Sequence, residues 1–197
     1  ENTGLLQQTT DEPTDEPTAK QEEKPKKKHT LLKYLLCILL AVILAFLLKN
    51  FVFQITEISG DSMEPTLKSG EITISSPLSY YFNDVQQFDI IVFKAPDRTD
   101  GAYYVKRIIG LPGDRVLIDN GEVAVNGTVL NEEYIDGART EGDIDTLVPN
   151  GEYFVLGDNR TVSHDSRNPD VGTIPKDAIL GKVSYQIYPF NGFGKIE

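Results

Sequence analysis

Residues 31–53 constrain this chain more than any other stretch, because they are almost unbroken apolar sequence. The uninterrupted part, 34–48, is 15 residues long, about 22 Å of helix at 1.5 Å per residue. That is short of a hydrocarbon core of roughly 30 Å. Lys33 and Lys49 flank it, and long ammonium side chains snorkel to the interfaces, so residues 31–53, about 34 Å as helix, reach across. A soluble core helix would be polar on one face, and a cleaved leader would end in a small-x-small site. Neither pattern is present, and one N-terminal transmembrane helix over 31–53 is expected.

The flanks orient it. Lys24, Lys26, Lys27 and Lys28 precede the span, whereas only Lys49 follows it before Glu57 and Asp61. Positive-inside asymmetry places residues 1–30 in the cytoplasm and residues 54–197 outside. The first segment repeats Asp11-Glu12-Pro13-Thr14 as Asp15-Glu16-Pro17-Thr18, a composition that reads as a disordered tail. Net charge is −11. The part after residue 50 is strongly acidic, which disfavours nucleic acid as a partner. With Cys37 the only cysteine and His29 and His164 the only histidines, no intramolecular disulfide and no multi-histidine or multi-cysteine metal site is available. No metal or cofactor is expected.

Residues 54–197 read as mainly β. Apolar or alternating runs fall at 55–59, 71–75, 89–94, 102–110, 115–119, 122–125, 153–156 and 180–187, short enough for strands. Asn120-Gly121 and Asn126-Gly127 separate short runs, the strongest local hairpin signal. No long helical period occurs there, and 127–152 carries no readable pattern. The expected architecture is a curled, barrel-like β-sheet domain behind one membrane helix.

Three segments concentrate chemistry. Ser62 lies between Gly60 and Pro65, a turn that can present a hydroxyl together with a backbone N–H. Lys106 lies among Tyr104, Val105, Ile108 and Ile109; loss of hydration there disfavours its ammonium form and makes it a candidate general base. Residues 157–167 alternate Asp158, Arg160, Asp165 and Arg167 with Ser163 and His164, suited to ion pairs that set a loop's shape. A Ser-His-Asp reading through His164 and Asp165 is disfavoured, since neighbours on an extended segment face opposite ways.

In order and spacing these segments resemble the signature boxes of Gram-positive-type type I signal peptidases: SGDSMEPTL at 59–67, YVKRIIGLPGD at 104–114 and GDNR…S.DSR at 157–167. The resemblance extends from about residue 31 to 187. It implies Ser62 as nucleophile and Lys106 as general base, with Ser163 orienting that base. It makes Asp158, Arg160, Asp165 and Arg167 structural support, and Ile58, Met63 and Val105 the lining of the substrate pockets. Some members carry a serine where this chain has Gly60, so an oxyanion here must rely on the Ser62 N–H and a further donor. The implied activity is membrane-bound removal of signal peptides with small residues at −1 and −3 from exported preproteins at the cell membrane. The bilayer is a partner as well, touched by apolar turns at Met63 and Leu111-Pro112. One alternative is a non-catalytic signal-peptidase-like pilus assembly factor, in which the dyad would be degraded; Ser62 and Lys106 are both present.

Overall fold

The computed structural model of this chain describes residues 27–47 and 52–196. The acidic repeat and its expected disorder lie outside the described residues. Helix α1 (Lys27–Leu47) has 21 residues, about 31 Å at helical rise. Every residue from 30 to 47 is exposed, including Leu35, Ile38 and Leu44. A helix apolar all round with no buried face needs an apolar solvent, which a bilayer supplies. The chain is membrane-anchored. The helix begins four residues before the expected start, its lysines being good helix formers. At the other end Phe53, expected within the span, is irregular and 52% exposed, because the alternation in Gln54-Ile55-Thr56-Glu57 favours a strand.

The β-rich body contains β1 (Gln54–Glu57), β2 (Ile72–Ser76), β3 (Ile90–Lys94), β4 (Tyr103–Gly110), β5 (Arg115–Asp119) and β6 (Glu122–Val125). It continues with β7 (Thr128–Val129), β8 (Ile144–Leu147), β9 (Glu152–Leu156), β10 (Ile174–Pro175), β11 (Ile179–Tyr188) and β12 (Gly194–Lys195). The larger sheet runs β1-β2-β11-β3-β4-β9-β10, with β12 beside β11; the smaller runs β7-β6-β5-β8. Both Asn-Gly pairs have positive φ at each residue, the type I′ geometry that matches strand twist, and they close β5–β6 and β6–β7. β8 was not legible: its alternation spans only Ile144 to Leu147, and its partner β5 lies about 30 residues away.

Burial explains the other runs. Ile91 and Phe93 of β3 join Ile108 and Val155 in one core layer, while Ile90 and Val92 face a second with Ile58, Met63, Leu67 and Val183. Ile109, Phe154 and Leu156 pack on Val116, Ile118 and Val123 of the small sheet. Strands covered on both faces read as continuous apolar runs, whereas β5, covered on one, alternates buried and exposed. β1 and β4 are separated in the sheet by β2, β11 and β3, yet both line one cleft. The larger sheet therefore curls until its β1 edge faces β4.

Candidate active site

The turn after β1 is held at both ends. Ile58 exchanges main-chain bonds with Glu71 and Gly70 (2.8 and 2.9 Å), and Met63 and Leu67 are buried in the core layer beneath. Met63, 1% exposed, is spent on packing and thus unavailable to lipid, whereas Leu111 is half-buried against another core layer and Pro112 is exposed. Between these anchors Ser62 stays partly exposed. Its carbonyl accepts the Asn159 N–H at 3.1 Å, which ties the turn to the 157–167 loop.

Lys106, 3% exposed, donates from Nζ to Ser62 Oγ at 2.7 Å across 44 residues of sequence. Burial draws its pKa down to about 8, against the opposing pull of Asp165 and Asp158. Its Nζ also lies 5.3 Å from the Tyr104 ring centre. Ile58, Met63 and Val105 line the same cleft, about 500 Å³ in volume, with Ser62 and Lys106.

The charged loop divides into two sets. Arg107, next to the lysine, makes a buried bidentate pair with Asp158 (2.9 and 2.7 Å), and Thr66 of the serine turn donates to the same carboxylate. Asp165 accepts the Gly157 N–H at 3.0 Å and two bonds from Arg167 (2.8 and 2.9 Å). Its carboxylate is thereby spent. His164 turns elsewhere on the cleft rim, with Nε2 3.1 Å from Asp170. Ser163, expected to orient Lys106, is 9% exposed and its Oγ has no hydrogen-bond partner among the described residues; the Lys106 bond the structure shows goes to Ser62.

Arg160 reaches residues that the sequence did not single out. It pairs with Glu132 (3.0 and 2.6 Å), meets Thr140, and bonds the Gly157 carbonyl at 3.0 Å. Tyr134 stands between this group and Arg107, whose guanidinium lies 4.0 Å from its ring centre. Burial and Glu132 hold the Tyr134 phenol above its ordinary range, so it stays a donor to Glu132 at 2.6 Å. No local pattern marks Glu132 or Tyr134; they lie between β7 and β8, Tyr134 within a short 3₁₀ turn over Glu133–Ile135.

Asp158→Ala would leave the Arg107 guanidinium buried without its carboxylate. Breaking such a pair costs about 3–5 kcal/mol, so the urea midpoint should fall clearly. A midpoint equal to wild type would remove Asp158 from the supporting set.

A family model described as signal peptidase, peptidase S26, matches residues 31–188. Signal peptidase I of Bacillus caldolyticus is 43% identical over 161 residues, covering 74% of this chain and 85% of that protein. Signal peptidase IB of Staphylococcus aureus is 36% identical over 165 residues, covering 75% and 84%. A solved signal peptidase I from Enterococcus faecalis V583 is 33% identical, with a TM-score of 0.45, covering 51% of this chain and 97% of that one. On the family match and on the identity to the Bacillus and Staphylococcus proteins, this chain belongs to the signal peptidase family, peptidase S26.

Proposed function

We propose that this membrane-anchored serine endopeptidase, which removes signal peptides from preproteins, works with Ser62 as nucleophile and Lys106 as general base. The observation that carries the reading is the 2.7 Å contact between a buried lysine and the cleft serine. Neutral Nζ takes the Ser62 proton as Oγ bonds to the scissile carbonyl carbon. The Ser62 N–H, which has no hydrogen-bond acceptor among the described residues, stabilises the oxyanion together with a second donor. Collapse breaks the C–N bond, and protonated Lys106 passes its proton to the leaving amine. Water then attacks the ester with Lys106 again as base, restoring Ser62. Ser163, buried and otherwise unpartnered, orients the lysine as its bond to Ser62 is exchanged. Asp158, Arg160, Asp165 and Arg167 hold the surrounding turns.

The substrate enters as an extended strand. β1 is a sheet edge, and β4 pairs with β9 only from Arg107 onward. Unpaired main chain on both sides of the cleft can therefore hydrogen-bond a peptide. Ile58, Met63 and Val105 leave room for small side chains at −1 and −3. The N-terminal lysines place residues 1–30 in the cytoplasm and residues from 54 onward outside, where translocated preproteins emerge. A pilus assembly factor is not favoured, since both dyad residues are present and in contact.

Incubating the full chain with a purified preprotein bearing an Ala-x-Ala site should release mature protein cut after the second Ala, as read by mass spectrometry. Ser62→Ala should release none. Release by folded Ser62→Ala at the wild-type rate would sink the assignment.

A further inference from the structure

Three metal-ligating side chains meet on the rim of the cleft. Asp97 comes from the loop between β3 and β4, His164 from the 157–167 loop, and Asp170 from the turn before β10. His164 Nε2 lies 3.1 Å from an oxygen of Asp170 and 3.5 Å from an oxygen of Asp97. One ligand atom from each of the three falls within 4.8 Å of the others. Tyr104, which lines the cleft with His164, joins the group. Its phenol donates to Asp97 at 2.8 Å, and its ring packs nearly perpendicular to the imidazole.

We infer that Asp97, His164 and Asp170 form a binding site for a divalent cation of the zinc class. Two carboxylates converge on a single ring nitrogen. That nitrogen carries at most one proton, so as a donor it serves one oxygen and leaves the other without a hydrogen. A metal ion has no such limit. Zinc bonds of about 2.0–2.2 Å at tetrahedral angles set neighbouring ligand atoms roughly 3.3–3.6 Å apart. Both separations from His164 fall in or close to that range. The remaining gap, between the carboxylates, closes with a small turn of Asp170, whose side chain is 58% exposed.

The surroundings favour a cation. Among the described residues neither carboxylate has an ion-pair partner other than His164, so no lysine or arginine neutralises the pair. The ligands also stand on braced loops. A main-chain bond from Ala95 to Ala102 (3.0 Å) closes the first, and bonds from Val171 and Gly172 to Asn168 (3.0 and 2.9 Å) close the turn that carries Asp170. Val171 anchors that turn in the core. Tyr104 supplies the outer contact that orients a ligating carboxylate and a ligating ring. One imidazole and two carboxylates suit zinc, with a further position left to water. The site does not include the dyad, and no step proposed for Ser62 and Lys106 passes through it.

The test is calorimetric titration of Zn²⁺ into the full chain, without an affinity tag, in nanodiscs of neutral lipid. Wild type should take up a single Zn²⁺ with a Kd of about 10 µM or tighter, weaker than four-ligand structural sites. His164→Ala, a change at a half-exposed position, should weaken binding at least about tenfold, since even outer partners of a ligand are worth about 10–100-fold. It is the decisive variant, because it removes a ligand without removing negative charge. Asp170→Asn should weaken binding as well, and Ser62→Ala should bind as wild type does. Saturating Zn²⁺ should also raise the thermal midpoint of wild type by several degrees, through binding to the folded state, and leave that of His164→Ala unmoved. No uptake by wild type at about 1 mM Zn²⁺, a Kd weaker than about 4 kcal/mol of binding, overturns the inference and leaves an ion-pair cluster. Unchanged affinity in His164→Ala overturns it too, as does equal uptake of Mg²⁺, since either would assign the ion to the acidic surface at large. Loss of binding in Ser62→Ala would place the ion at the dyad and overturn it in the same way.

Discussion

Lys106→Met should lower kcat/KM by about 10⁴-fold or more, the scale seen when one member of a serine nucleophile's activating set is removed. Methionine keeps most of the lysine stem and its packing but deletes the Nζ that touches Ser62 Oγ. What is left is binding and whatever the backbone donors contribute. The wild-type pH profile follows from the same burial. In the proposed mechanism the reactive form is the neutral amine, and desolvation brings its pKa to about 8. Wild-type kcat/KM should therefore rise about tenfold per pH unit below 8 and level off above it. Stability moves with the same titration. The folded pKa lies below the ordinary lysine value of 10.5, so the unfolded chain binds more protons between pH 8 and 10.5, and stability increases with pH across that window. Below pH 8 the penalty of burying the ammonium is present in full, about 3 kcal/mol. Lys106→Met relieves it, and its thermal midpoint at pH 7 should exceed that of wild type by several degrees. A stabilised, inactive variant is the signature of a residue kept for chemistry against its folding cost. Residual activity above a few per cent, or a flat profile between pH 6 and 8, would remove Lys106 from the base role.

Gly157→Ala should reduce kcat by about 10²-fold while leaving the fold intact. A Cβ at Gly157 would collide with Ser163 Oγ and the Ser62 carbonyl oxygen and stand 2.6 Å from Ser163 Cβ. Atoms this close must separate. The Ser163 hydroxyl can rotate away, but the Ser62 oxygen is main chain, and moving it moves the peptide of the proposed nucleophile. The 3.1 Å bond from the Asn159 N–H to that oxygen is disturbed with it. A displacement approaching 1 Å between reacting groups is worth about 10² in rate. Glycine is required here for space rather than for an unusual φ, since Gly157 is not among the positive-φ glycines. Two readouts separate this from general damage. kcat should fall much more than KM rises, because the proposed substrate pockets at Ile58 and Val105 are not displaced. Gly157→Ala combined with Ser163→Gly should stay impaired, because the Ser62 oxygen still meets the new methyl group. Activity of Gly157→Ala within about threefold of wild type would show that the serine turn yields without losing its aim.

Both results depend on how the serine turn is braced. Main-chain bonds fix its ends, Met63 and Leu67 sink into the core, and Thr66 meets the Arg107–Asp158 pair. Arg107 follows Lys106 on β4 and points to the opposite face. One strand thus presents the proposed base on one side and the brace for its partner turn on the other. Tyr134 and Glu132 extend that brace to the loop that carries Arg160.

Much of this was legible from local pattern. Fifteen uninterrupted apolar residues between lysines demand an apolar solvent, whatever the rest of the chain does. Asn120-Gly121 and Asn126-Gly127 adopt the positive φ values that such pairs tolerate. Runs of β-branched residues became strands within a residue or two of their expected limits. Ser62, Lys106 and the Asp/Arg set stand out from their sequence boxes alone. Dihedral preference, side-chain periodicity and hydration act over a few residues, and sequence order exposes them directly.

The distances were decided elsewhere. Ser62 and Lys106 meet because the sheet curls until β1 faces β4, a consequence of strand order and twist that no window of neighbours contains. Glu132 and Tyr134 became partners of Arg160 and Arg107 by the path of the segment between β7 and β8, a short 3₁₀ turn with no periodicity to read. The missing Ser163 bond and the absence of room at Gly157 are likewise facts of packing. Sequence by itself determined which side chains could do chemistry and which segments would be helix or strand, because those follow from local covalent and solvation preferences. Only the tertiary structure decided which of them touch, because contact between residues far apart in the chain is settled by how the sheet closes over its core.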